Sequence, residues 1–176
     1  DGGLAVTGAA RHLHPSTRAC LGFHLWSLAG LGQHGDRMEA AITAGRIAAA
    51  EGKGAIFAPV AMGGAGGLRA GGPPVERLTR WLDGMNNACL AAMRHLDDLE
   101  IWSTQAETVM SVLSGRTPPA LRAALTEWPL LSAPMAETLI GASRAAVQRN
   151  LAWMEVRGLI CEVTGQGRFR MWRAAV

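Results

Sequence analysis

With 176 residues, 49 % of them apolar, the chain can close one ordinary core or two small ones, and its composition is that of a globular protein. No apolar run approaches the ~20 residues of a membrane span, no basic-then-apolar leader opens the chain, and Cys20, Cys89 and Cys161 are too scattered to suggest disulfides, so a cytoplasmic protein without a membrane partner is expected. The net charge of +3 is modest, and Lys53 is the only lysine. The chain opens on Asp1 instead of Met, so a native segment ahead of it is expected.

Residues 1–14 are rich in Gly and Ala and read as a poorly ordered terminus. A helix is expected to start at Ser16, after Pro15, with Cys20, Leu21, His24, Leu25 and Leu28 on its apolar face. Asp36 followed by Glu39 resembles a capping box and opens a second helix, whose core stripe reads Met38, Ala41, Ile42, Ile47 and Ala48 before Gly52 ends it. The stretch GGAGGLRAGGPP then reads as a mobile loop or linker. It lacks the Lys-Ser/Thr that completes a phosphate-cradling loop, so no nucleotide site is expected.

After Pro74 comes the strongest periodicity of the chain. Leu78, Leu82, Met85, Cys89, Ala92, Leu96, Leu99, Ala106, Met110 and Leu113 follow steps of four and three, interrupted at Ser103. A helix over residues 75–113 would be close to 60 Å long at ~1.5 Å per residue, unless Gly84 or Ser103 breaks it. Trp81, Met93, Trp102 and Val109 widen the stripe, which suits packing on one side and a second subunit on the other. A homodimer is therefore expected.

Arg116 to Pro119 read as a short rigid junction, followed by a helix over residues 120–128 with Leu121, Leu125 and Trp128 inward. Ser132 and Pro134 then mark a helix start, and Gly141 its end. Ser143 caps the next helix, residues 143–156, in which Val147, Leu151 and Met154 point inward, leaving Arg144, Ala145, Gln148, Arg149 and Ala152 outward. Strands over residues 159–163 and 168–172 follow, joined by Thr164-Gly165-Gln166-Gly167, with Phe169 and Met171 on one side and Arg168 and Arg170 on the other. The predicted fold is mainly α: a helical dimerisation domain with one long helix (residues 1–117) and a C-terminal winged helix-turn-helix with a β-hairpin wing (residues 118–176).

Residues 118–176 hold seven Arg against four Glu, whereas basic and acidic groups cancel in residues 1–117. A local positive field beside an outward row of Arg and Gln suits double-stranded DNA, because Arg and Gln make paired hydrogen bonds to guanine and adenine edges. Ser143, Arg144, Gln148 and Arg149 are the candidate residues of the recognition helix; Gln166, Arg168 and Arg170 are those of the wing, facing phosphate or the minor groove. A DNA-binding transcriptional regulator is the expected function.

LIGASRAAVQRNLAWMEVRGLI followed by EVTGQGRFRMWRA resembles the C-terminal helix-turn-helix of a family of uncharacterised alphaproteobacterial DNA-binding proteins that carry a helical domain ahead of it. The similarity extends upstream through FHLWSLAGLG, RIAAAEG, GGPPVERLTRWL and LSGRTPPAL, and implies transcriptional regulation without implying a ligand. In the turn Leu139-Ile140-Gly141-Ala142-Ser143 the chain is one residue longer than the common pattern, which leaves the base-reading positions less firmly placed than the motif. The segment also resembles, more distantly, the winged helix that ends many Fic-family proteins. The Fic catalytic pattern, His-Pro-Phe running into Gly-Asn-Gly-Arg, is missing: His14-Pro15-Ser16 lacks the Phe, and residues 32–37 lack the Asn.

No enzyme is expected. His12, His14, His24 and His34 have no carboxylate or Cys at a supporting interval, so no metal and no cofactor is expected, and Asp97, Asp98 and Glu100 read as a solvated face. The alternative function is a protein-docking module on a Fic-like helical scaffold. A small effector bound by the N-terminal helices is a further possibility, for which the sequence offers no convergent polar set.

Overall fold

The computed structural model describes residues 10, 12–26, 28–29, 31, 37–50 and 56–176, in two compact units, Asp1–Arg94 and His95–Val176. The second unit thus begins N-terminal of the junction expected at residue 117. The protein is mainly helical, with a small antiparallel sheet near its C-terminus. Among the described residues, no helix is long and apolar enough to cross a membrane.

In the first unit, α1 (Pro15–Leu25) begins one residue earlier than expected, because Pro15 occupies its first turn and the His14 imidazole accepts the Ser16 backbone N–H at 3.3 Å. Helix α2 is Arg37–Ala49. The expected capping residue, Asp36, and the expected stop, Gly52, lie outside the described residues. The inward faces differ from the predicted stripes: α1 buries Ala19, Cys20 and Phe23, and α2 buries Ala40, Ala41, Ala44, Gly45 and Ala49. Leu21, Leu28, Met38 and Ile42 are exposed instead. Small side chains let two backbones approach, so these four bulky residues turn outward, while Cys20 and Ala41 are buried and Ile47 and Ala48 pack against the core as expected.

The glycine-rich stretch is not a free linker. It follows a 3-10 turn, Val60–Gly63, and lies on the long helix α3 (Pro74–Met110). A Cβ on Gly63 would sit 1.9 Å from the Gly84 carbonyl oxygen, and one on Gly84 would sit 2.9 Å from Gly67 Cα. Gly84 therefore does not break α3; it provides the surface where another backbone touches it. Phe23 and Trp81, whose ring centroids are 5.6 Å apart, join Ala19, Cys20, Ala44 and Val60 in the core of this unit.

In the second unit the C-terminal part of α3 contributes Trp102, Ala106 and Met110 to a core shared with α4 (Thr117–Glu127), α5 (Ala133–Ile140) and α6 (Arg144–Val156). The Trp102 indole donates to the Leu159 carbonyl at 2.6 Å. Ser103, where the stripe lacks an apolar residue, accepts from Arg122 at 2.8 Å. Pro118 and Pro119 belong to the first turn of α4 and not to a separate junction, and Trp128 is partly exposed at that helix's end. Strands β1 (Leu131–Ser132), β2 (Ile160–Glu162) and β3 (Met171–Ala174) pair antiparallel in the order β1-β3-β2, with Leu131 opposite Trp172 and Cys161 opposite Arg173. The last strand starts later than expected, at Met171, and Trp172 and Ala174 face the core.

Candidate nucleic-acid interface

Two helix starts and one hairpin build the site. The Ser132 hydroxyl accepts from Met135 N at 3.3 Å and caps α5, and Gly141 closes that helix in the left-handed conformation, φ 62°. Ser143 then caps α6, accepting from Ala146 N at 3.4 Å. Its hydroxyl thus serves the helix start, at the edge of the exposed face.

Helix α6 buries Val147, Leu151 and Met154, as their spacing predicts, together with Asn150, whose amide donates to the Ala146 carbonyl at 2.8 Å. The opposite face leaves Arg144, Ala145, Gln148, Arg149 and Ala152 exposed. Arg144 and Gln148 are one helical turn apart and line an open groove of about 640 Å³ together with Ser132, Pro134, Arg168, Phe169, Arg170 and Met171 among others. Three arginines and one glutamine from the expected set, Arg144, Arg168, Arg170 and Gln148, therefore line a single groove. Ser143, Arg149 and Gln166 do not line it, although all three are exposed.

Arg170 departs from its expected role. Its guanidinium donates to Glu155 Oε1 at 2.6 Å and lies over the Trp172 ring at 4.9 Å, while the Trp172 indole donates to Glu155 Oε2 at 3.3 Å. The side chain is thus folded onto α6, and a phosphate would have to compete with a half-exposed carboxylate for it. Arg168, exposed and outside any ion pair among the described residues, is the freer cation of the hairpin.

The alternation expected across residues 168–172 fails at Phe169, which has φ 59° and is 87 % exposed. A bulky L-residue is strained in that region, and the twist turns the ring to solvent between two arginines. The hairpin tip is fixed from the other side: the Glu162 carboxylate accepts the Thr164 hydroxyl and the backbone N–H groups of Thr164 and Gly165, the latter two at 2.8 and 2.9 Å. The Thr164 hydroxyl is the main reason that Glu162 titrates below the ordinary carboxylate range, with the two N–H groups and the Arg170 charge adding to it. Sequence reading missed Phe169, Glu155 and Glu162. The Glu-x-Thr-Gly run could have signalled the Glu162 turn, but nothing local pairs Glu155 with Arg170, fifteen residues away.

The surface offers hydrogen-bond donors and positive charge. Among the described residues, no three His, Cys, Asp or Glu converge as metal ligands, and His34 lies outside them. No protein-family model matches the chain, and no curated protein is significantly similar to it.

Proposed function

We propose that the chain is a DNA-binding transcriptional regulator whose C-terminal unit acts as a winged helix-turn-helix. Residues 143–156 enter the major groove, where Arg144, Gln148 and Arg149 meet base edges, and the hairpin over residues 159–172 brings Arg168, and Arg170 once it leaves Glu155, to phosphate or the minor groove. The observation that carries this reading is the exposed Arg144-Gln148-Arg149 face of α6 beside the arginine-bearing hairpin. A homodimer fits a two-fold DNA site, and in the first unit Leu82, Leu90 and Met93 of α3 are exposed apolar side chains that a second copy would cover. A cytoplasmic location belongs to the same proposal.

Binding of the purified chain to random duplexes at low salt, followed by sequencing of the fragments it retains, tests the proposal directly. Arg149→Ala is expected to cost about 1–3 kcal/mol on the preferred sequence alone, whereas Arg168→Ala weakens all duplexes and lowers the salt slope by about 1. Absence of binding at low salt, or equal losses on preferred and random DNA from both changes, overturns it. One observation favours the alternative, a docking module for another protein: the exposed Phe169 gives the groove an apolar rim, and Arg170 is already paired. Retention of a protein partner with no duplex shift would decide for that reading.

A further inference from the structure

Both ring nitrogens of His24, the Nε atoms of Arg77 and Arg80, and the indole nitrogens of Trp26 and Trp81 are buried without a hydrogen-bond partner, whereas no described residue of the C-terminal unit holds such an atom. Buried polar atoms in folded proteins are nearly always paired, so a cluster of orphans needs a physical cause. Arginine and indole nitrogens only donate, and a neutral imidazole donates once. Among the described residues, none supplies these particular atoms with an acceptor.

Two of these residues, His24 and Arg77, line a cavity of about 340 Å³ together with Thr17, Cys20, Leu21 and Leu78 among others, near the lower end of the roughly 300–1,000 Å³ typical of small-ligand sites. Among its described lining residues, Arg77 is a cation and none is a carboxylate. Burial first, then the charges of Arg77, Arg37 and Arg80, hold His24 below its ordinary value and so favour the neutral ring. Glu76 lies 3.5 Å from Arg80, and Arg37 is engaged by the Leu68 carbonyl and the Phe23 ring. Arg77 has no ion pair among the described residues, and it forms part of the cavity wall.

We infer that this cavity takes a small organic acid, with its carboxylate against Arg77 and the His24 N–H and its apolar body against Leu21, Cys20 and Leu78. The leucines disfavour a fully hydrophilic anion such as phosphate, and the unpaired guanidinium disfavours a neutral ligand of the same shape. Cys20 contributes only bulk, because burial pushes its thiol up to about 11. The inference does not depend on DNA binding.

Calorimetric titration of the full chain with benzoate and with hexanoate, against benzamide and inorganic phosphate, provides the test. Saturable binding of at least one acid is expected, with benzamide and phosphate far weaker. Arg77→Gln is expected to weaken the acid about 10- to 100-fold, while Arg69→Gln, an exposed position outside the cavity, leaves it unchanged. Leu21→Trp, at a partly exposed wall position, fills the space with Arg77 in place and should also abolish binding, so the inference stays testable if Arg77→Gln does not fold. Equal affinity for benzamide or phosphate, binding that survives both substitutions, or no saturable binding of either acid overturns it.

Discussion

The two units solve the problem of burial differently. The C-terminal unit fills its core with large side chains from four helices and a sheet, and ties its buried indole Trp102 to the Leu159 carbonyl. The N-terminal unit is closed by alanine and glycine contacts between backbones, and it leaves several buried donors without acceptors. A jigsaw of large apolar side chains leaves little free space in that core. A core with unmet donors is suited to taking up something else.

The sharpest test of that contrast is a cavity in the C-terminal core. Leu151→Ala removes a fully buried side chain and is expected to cost about 2–5 kcal/mol, measured by denaturant unfolding, with resonances of the N-terminal unit unmoved. Equal losses of structure in both units would contradict separate cores. The matching change on the other side is Gly63→Ala, where the added Cβ would strike the Gly84 carbonyl and force backbone to move, at about 1–3 kcal/mol. If Gly63→Ala were silent, the glycine-rich stretch would not be docked as described.

Acid should separate the units as well. The folded protein holds His24 below its ordinary value, so the stability linked to its neutral ring is present above about pH 6.5 and is lost as pH falls through the lowered value. Glu162 is also depressed, from the carboxylate range, so its contribution to the hairpin tip is lost only at lower pH. Hydrogen exchange followed from pH 7 to pH 4 is expected to show the N-terminal unit loosening first, and His24→Gln should flatten that early change. An unchanged profile in the variant would remove His24 as the cause.

The smallest effect concerns the half-exposed pair of the hairpin. Glu155→Gln is expected to cost less than about 1 kcal/mol of stability, because a pair of this exposure contributes little. On the proposed DNA-binding reading, it should nevertheless tighten duplex binding by releasing Arg170. Unchanged or weaker binding would show that Glu155 positions Arg170 and does not compete for it.

Local signals in the chain settled most of the C-terminal helices. Ser132 and Pro134, Gly141 and Ser143 each act on neighbours within a few residues, and the spacing of Val147, Leu151 and Met154 fixes which side of α6 is inward, so the Arg144-Gln148-Arg149 face follows from the sequence. Separation along the chain hid the rest. The inward sides of α1 and α2 depend on how closely two backbones approach, the role of Gly84 depends on Gly63 and Gly67, and two-residue β1 exists only because Trp172 and Met171 pair with it. Phe169 would have continued an alternating strand by pattern alone, yet its backbone turned left-handed, and Arg170 found its carboxylate on a helix instead of in solvent. Caps and periodicity are short-range and can be read from one segment; close backbone approach, strand pairing and unmet buried donors arise only when distant segments meet.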